Sequence, residues 1–144
     1  IMVGGMKEGQ SLIKQTEELG LTNYVKFTGA LSGKALDEAY AHADIALGAL
    51  GNHRRKVFAN SSLKAKEYAS RGMLMVLSDA EGIENEIKER CLIVRSDETP
   101  LNFKAIVDWY EEVKNKRERR LYIHEFAKKN YSWDSQLQII LKKI

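Results

Sequence analysis

Short runs of consecutive apolar residues alternate along this chain with longer stretches whose apolar positions recur every three or four residues. Runs of the first kind predict strands and stretches of the second predict amphipathic helices. Ile-Met-Val at 1–3 reads as a strand ended by the tight turn Gly4-Gly5. Residues 11–19 carry Leu12, Ile13 and Leu19 among charges, a helix that Gly20 would close. Val25 and Phe27 alternate within 24–28, a strand stopped by Gly29, and a helix from Ser32 sets Leu36, Ala39 and Tyr40 on one side. Residues 44–49 and 74–78 are apolar without alternation, as strands covered on both faces are. Between them lie a basic loop and a helix over 61–71; a short helix at 84–89 and a strand at 91–94 follow.

After Pro100 only the helical period remains. Leu101, Ala105, Ile106, Val107, Trp109, Tyr110 and Val113 mark one helix, with Pro100 near its start, where a missing donor does little harm. A charged helix over 117–129 holds Leu121, Ile123, Phe126 and Ala127, and Ser132 caps a last one with Trp133, Leu137, Ile140 and Leu141. Strands alternating with helices imply βαβ units. The expected fold is a single Rossmann-like α/β domain over 1–144, a parallel sheet with helices on both faces and a C-terminal helical tail. In such sheets ligands bind beyond the carboxyl ends of the strands. Three turns would converge there: Gly4-Gly5, Gly29-Ala30-Leu31, and the basic loop with its helix.

That loop and helix, residues 48–72, carry the most suggestive chemistry. The first turn of a helix normally favours acidic residues, because helix N-termini carry partial positive charge. Here His53, Arg54, Arg55 and Lys56 lead up to Asn60, Ser61 and Ser62, and Lys64 and Lys66 follow in the early turns. Cations gathered at such a point repel the dipole unless an anion sits among them, and free N–H groups with basic side chains make a phosphate site. The bland alternative is a solvated basic loop followed by an amphipathic helix.

Composition narrows the class. With 144 residues, 44% hydrophobic, 30% charged and a net charge of +3, the chain suits one globular domain. Nucleic acid is not expected as a partner on charge alone. No apolar stretch approaches a bilayer span and no signal-peptide pattern occurs within these residues, so a cytoplasmic location is expected. The single cysteine, Cys91, sits in an apolar run and reads as a buried strand residue without a disulfide partner. The chain begins at Ile1, already inside a strand-like run and without an initiator Met, which suggests a fragment whose first elements are cut away.

Several motifs fail on spacing. Gly4-Gly5-Met6-Lys7-Glu8-Gly9 lacks the Gly-x-Gly-x-x-Gly pattern of a dinucleotide turn. The P-loop-like Gly29-Ala30-Leu31-Ser32-Gly33-Lys34-Ala35 is one residue short and has Ala35 where magnesium needs a hydroxyl. His42, His53 and His124 are too dispersed for a metal site, and no nucleophile elbow occurs. His42 reads as structural and His124 as a surface residue. Glu67 stands one turn into the helix and three residues after Lys64. A carboxylate there can hold ribose hydroxyls behind a phosphate-binding turn, or simply pair with Lys64 on the surface.

Taken in order, Ile-Met-Val-Gly-Gly, the run Glu-Leu-Gly-Leu-Thr-Asn-Tyr-Val-Lys-Phe-Thr-Gly at 18–29, the stretch 36–49, Ser-Leu-Lys-Ala-Lys-Glu-Tyr-Ala-Ser-Arg-Gly at 62–72 and Tyr-Ser-Trp-Asp at 131–134 form a recognisable series. The chain resembles the C-terminal domain of GT-B glycosyltransferases of the large retaining family four (glycosyl transferases group 1). That resemblance implies a donor-binding half of a hexosyltransferase-like enzyme, with a nucleotide-diphosphate sugar as substrate and no cofactor or metal. A separate N-terminal domain would bind the acceptor, such as a polysaccharide or lipopolysaccharide precursor, and the full-length enzyme would associate with a membrane surface. By position, Ala30 and Leu31 would meet the base, Glu67 would match the second Glu of the Glu-x7-Glu motif and hold ribose, and Ser62, Leu63 and Lys64 would present the helix start to the diphosphate. Arg54, Gly4 and Gly5 would lie nearby. The chain departs from the family where the first Glu of that motif falls on Ala59, and where the upstream Arg and Lys would precede Ile1. The resemblance therefore implies that these 144 residues alone are catalytically incomplete. The contrasting reading is a non-catalytic module that meets nucleic acid or anionic lipid through Lys114, Lys116, Arg117, Arg119, Arg120, Lys128 and Lys129, unless Glu111, Glu112, Glu118 and Glu125 make that face merely solvated.

Overall fold

A computed structural model describes residues 6–57 and 61–142, in two compact units that divide between Ala43 and Asp44. In the first unit, α1 (Met6–Glu18) ends where Gly20 takes φ +67°. The Gly20 N–H donates to Glu17 O at 3.0 Å and the Leu21 N–H to Thr16 O at 2.9 Å, which satisfies carbonyls that the helix end would leave orphaned. The strand expected over 24–28 is not formed. The N–H groups of Tyr24 and Val25 both turn back onto Leu21 O, at 2.9 and 3.0 Å, and only Phe27 keeps bridge-type pairing. The helix end and this turn together use up the residues that an extended pairing would need. Next comes α2 (Gly33–Ala41), with Ser32 extended at its N-cap, and His42 Nδ1–H donates to Glu38 O at 2.7 Å, a structural role.

The second unit holds β1 (Ile45–Leu47), α3 (Leu63–Ser70), β2 (Leu74–Ser78), α4 (Asn85–Lys88), β3 (Leu92–Val94), α5 (Phe103–Val113), α6 (Arg117–Tyr131) and α7 (Trp133–Leu141). The strands form a parallel sheet in the order β1-β2-β3, with Leu47 opposite Val76 and Ser78 opposite Val94. Helices surround this sheet, so the architecture is the α/β one expected. Three strands are present among the described residues where five were expected: the run at 1–3 lies outside those residues, and 24–28 is the turn described above.

Burial explains the arrangement. All five residues of β2 are buried, and Leu74, Met75, Val76 and Leu77 have no exposed surface. A strand so enclosed must be apolar on both faces, as residues 74–77 are; Ser78, at its carboxyl end, is the exception. Ile87 of α4, Val113 of α5 and Ile123 of α6 are buried as completely. Helix α6 packs along α3, where Ala65, Ala69 and Ala127 are small enough for close approach. Three side-chain caps set element ends, two of them, Ser62 and Ser132, expected from the sequence. Ser62 Oγ accepts from the Ala65 N–H at 3.4 Å, Asn102 Oδ1 from the Ala105 N–H at 3.0 Å, and Ser132 Oγ from the Ser135 N–H at 3.2 Å. The Tyr131 hydroxyl donates to Glu84 Oε2, tying the end of α6 to the turn before α4. Burial, and then that carboxylate, push its phenol far above the usual range.

Gly72 closes α3 with φ +63°, and a Cβ there would lie 2.8 Å from Arg120 O of α6. Gly72→Ala should therefore lower stability by about 2 kcal/mol or more, from the left-handed backbone and the enforced separation of α3 and α6. Gly51 has an ordinary φ of −93°, and a Cβ added to it would meet nothing within 4 Å. Gly51→Ala is therefore the control and should shift stability by less than about 1 kcal/mol. Urea unfolding of both variants checks the assignment, and equal midpoints would contradict it.

Candidate functional site

The carboxyl ends of β1, β2 and β3 carry the loops on which the candidate site is built. Beyond β1, the Gly48 N–H donates to Val76 O at 2.9 Å and extends the pairing. A Cβ at Gly48 would stand 2.8 Å from Leu77 Cδ2 and 3.6 Å from Glu81 Oε2, so only glycine lets the strand end pass this close. The basic loop then folds into a 3-10 turn over Asn52–Arg55 and leaves through Lys56 in the left-handed region, φ 54°.

Arg54 of this turn is engaged by an acidic residue that sequence reasoning missed. Its Nε and Nη2 donate to Glu98 Oε1 and Oε2 at 3.0 and 2.6 Å, and His53 Nε2 lies 2.9 Å from Glu98 Oε1. This bidentate pairing, aided by His53, holds the Glu98 carboxyl down at about 2. Asp97 is also held below the usual carboxylate range, first by hydrogen bonds from Thr99, and it pairs with Arg95 at 3.1 Å. Together the loops after β1 and β3 enclose a cleft of about 370 Å³ lined by His53, Arg54, Arg95, Asp97 and Glu98. The signal for Glu98 was its place just after a strand in a parallel sheet, where loops meet.

A second set of unforeseen polar groups is buried at or just after the strand ends. Glu81, which follows β2, is 0% exposed, and neither carboxylate oxygen has a hydrogen-bond partner among the described residues. Asn52 is 4% exposed and its Nδ2 is unpartnered among them, as are Ser78 Oγ, His53 Nδ1 and Ser96 Oγ. Each such group costs roughly 1–3 kcal/mol relative to a satisfied one. Burial first, then the charges of Glu67 and Glu81, raise the Tyr68 phenol above its ordinary value.

Helix α3 begins at Leu63, whose side chain is 80% exposed. The N–H groups of Leu63 and Lys64 have no acceptor among the described residues, and Lys64 makes no ion pair among them. An open helix start with a cation beside it suits an anion, and Ser62, Leu63 and Lys64 stand together at this one. Glu67 does not form the surface pair with Lys64. Its Oε1 lies 3.2 Å from Arg71 Nη1 one turn on, and the residue borders a groove of about 520 Å³ with Lys66, His124, Lys128 and Tyr131. There Lys66 Nζ stands 5.3 Å from the Tyr131 ring centroid, and His124 Nδ1–H donates to Ser70 O at 2.7 Å, so His124 joins α6 to α3. Ala30 and Leu31 belong to the first unit; Ala30 is exposed, and Leu31 lines a depression of about 640 Å³ with Phe27, Thr28, Ala35 and Glu38. Gly4 and Gly5 lie outside the described residues.

Other candidates are used structurally. Burial pushes the Cys91 thiol up to about 12, and it donates to Ile87 O at 3.1 Å, which leaves it no nucleophile. No cluster of three or more His, Cys, Asp or Glu suited to a metal occurs among the described residues. In the basic tail Lys114 pairs with Glu111, Lys116 with Glu112 at 2.8 Å, and Arg119 donates to Arg90 O at 2.9 Å. No helix among the described residues is long and apolar enough to cross a membrane.

The Arg54–Glu98 pair has a pH consequence. A carboxyl held below its usual value stabilises the fold above that value, and the contribution fades as pH falls towards 2. Carboxyl carbon NMR should find Glu98 titrating near 2, and in Arg54→Ala its midpoint should move up towards the ordinary value of about 4.3. A wild-type midpoint already at the ordinary value would refute the pairing.

Comparison with known proteins identifies the family. The chain matches the family described as Glycosyl transferases group 1 over residues 1–130, a span that takes in all three strands, α3 and most of α6. No curated protein and no solved structure matches it. With a parallel α/β sheet and a match over most of its length, the chain belongs to the glycosyl transferases group 1.

Proposed function

We propose that this chain is the part of a sugar-transferring enzyme that binds the nucleotide-diphosphate sugar donor. The observation that carries the reading is the start of α3, set beyond the carboxyl end of β1: two N–H groups and the Lys64 ammonium, none with a partner among the described residues. Helix dipole, N–H groups and ammonium all favour a dianion there. Ser62 fixes the turn through its cap, Leu63 and Lys64 meet the diphosphate, and Glu67 accepts from ribose hydroxyls.

Chemically, departure of the nucleoside diphosphate places growing negative charge on its bridging oxygen. Preorganised donors aimed at that charge lower the barrier without a covalent step. Arg54 joins this work only by exchanging Glu98 for phosphate, since Glu98 already takes both its donors. The sugar passes, with retention at the anomeric carbon, to an acceptor such as a polysaccharide or lipopolysaccharide precursor held by another domain, in the cytoplasm at a membrane surface. Pairing of the tail's cations with neighbouring carboxylates argues against nucleic acid as the ligand.

Calorimetric titration with nucleosides, nucleoside diphosphates and their sugars tests this reading. Glu67→Gln removes a charged acceptor and should weaken nucleotide binding about ten-fold or more. Lys64→Ala should weaken nucleoside diphosphate binding by a similar factor while changing nucleoside binding much less, since the nucleoside lacks the charge that Lys64 meets. If both variants bind as wild type does and only melt slightly lower, by a few tenths of a kcal/mol, α3 is an ordinary surface helix.

A further inference from the structure

We infer that Glu98 is a built-in competitor for phosphate: its carboxylate occupies the anion position in the cleft between the loops after β1 and β3 until a phosphate-bearing ligand displaces it. The class of ligand rests on the donor-binding reading above. The cleft, of about 370 Å³, gathers His53, Arg54 and Arg95. Glu98 takes the Nε and Nη2 edge of Arg54 at 3.0 and 2.6 Å, and His53 Nε2 lies 2.9 Å from its Oε1. That fork is the edge a guanidinium offers to two oxygens of a phosphate. Arg95 is taken by Asp97 at 3.1 Å. Both guanidinium groups of the cleft are thus neutralised by carboxylates of the loop after β3.

That loop is pinned on either side of the contact. The Ser96 N–H donates to Asp79 Oδ1 at 2.9 Å, and the Thr99 N–H to Asp97 Oδ1 at 2.8 Å. Glu98 is therefore presented to Arg54 from a fixed backbone, and its own side chain is what must move for Arg54 to be released. Exposure decides whether it can. The Arg54 and Glu98 side chains keep 70% and 66% of their surface in water, so pairing favours the closed state by only about five-fold or less. A released carboxylate would be hydrated at once. A diphosphate brings more oxygens and more charge to the same fork than a carboxylate does. Exchange is the expected outcome, and Glu98 sets the threshold for it.

The test titrates UDP and inorganic pyrophosphate into the 144-residue chain, with affinity measured by calorimetry and the Glu98 carboxyl carbon followed by NMR. As ligand saturates the wild type, the Glu98 resonance should move to the position it has in Arg54→Ala. Glu98→Gln should bind more tightly by about three- to five-fold. The same change made in Arg54→Ala measures only relief of like-charge repulsion and should gain less than about two-fold. A gain shared by pyrophosphate and UDP assigns the site to phosphate as such, and a gain for UDP alone assigns it to phosphate carried on a nucleotide. A Glu98 resonance that stays put while UDP saturates, or equal gains with and without Arg54, would overturn the inference and leave donor binding at α3 standing. Failure of wild type and Glu98→Gln alike to bind either ligand would overturn both.

Discussion

The enclosure of β2 is the constraint on which the rest depends. A parallel strand paired on both edges and covered on both faces has nowhere to put a polar side chain, so residues 74–77 are apolar without exception. Parallel pairing also forbids tight hairpins, and each return must cross by a helix. The crossings from β1 through α3 and from β2 through α4 follow from that requirement. So does the site: with all strands pointing one way, their polar loops and one helix start are delivered to a single end of the sheet. Gly48 and Gly72 mark where this geometry is tightest, one against the Leu77 side chain of β2 and the other against the backbone of α6.

The electrostatics of that end are mixed rather than simply basic. Arg54 and His53 share one carboxylate, Arg95 and Asp97 form a second pair, and the buried Glu81 carboxylate has no partner among the described residues. At the start of α3, Lys64 has no ion-pair partner among the described residues.

Much of this was legible in the sequence because its signals are local. Unbroken apolar runs announced β1, β2 and β3, and Ser62 and Ser132 announced helix starts through short-range caps. The strand expected at Val25 and Phe27 shrinks to a bridge at Phe27, because Leu21 O captures the N–H groups of Tyr24 and Val25 first, which alternation alone does not reveal. The site was half legible. The open helix start can be read from Ser62 to Lys64, but Glu98 meets Arg54 across 44 residues, and Glu81 looks like an ordinary loop residue until its burial is seen. Glu67 shows the same limit, since spacing allowed either Lys64 or Arg71 as its partner and packing selected Arg71.

The central claim is that the start of α3 receives the diphosphate of a sugar donor. Amide NMR of the labelled chain, titrated with UDP and GDP, tests it most directly. The account predicts saturable shifts of the Leu63, Lys64 and Ala65 amides that are larger for a nucleoside diphosphate than for its nucleoside. Shifts confined to the basic residues of α6, or none at α3 for any nucleotide, would contradict it.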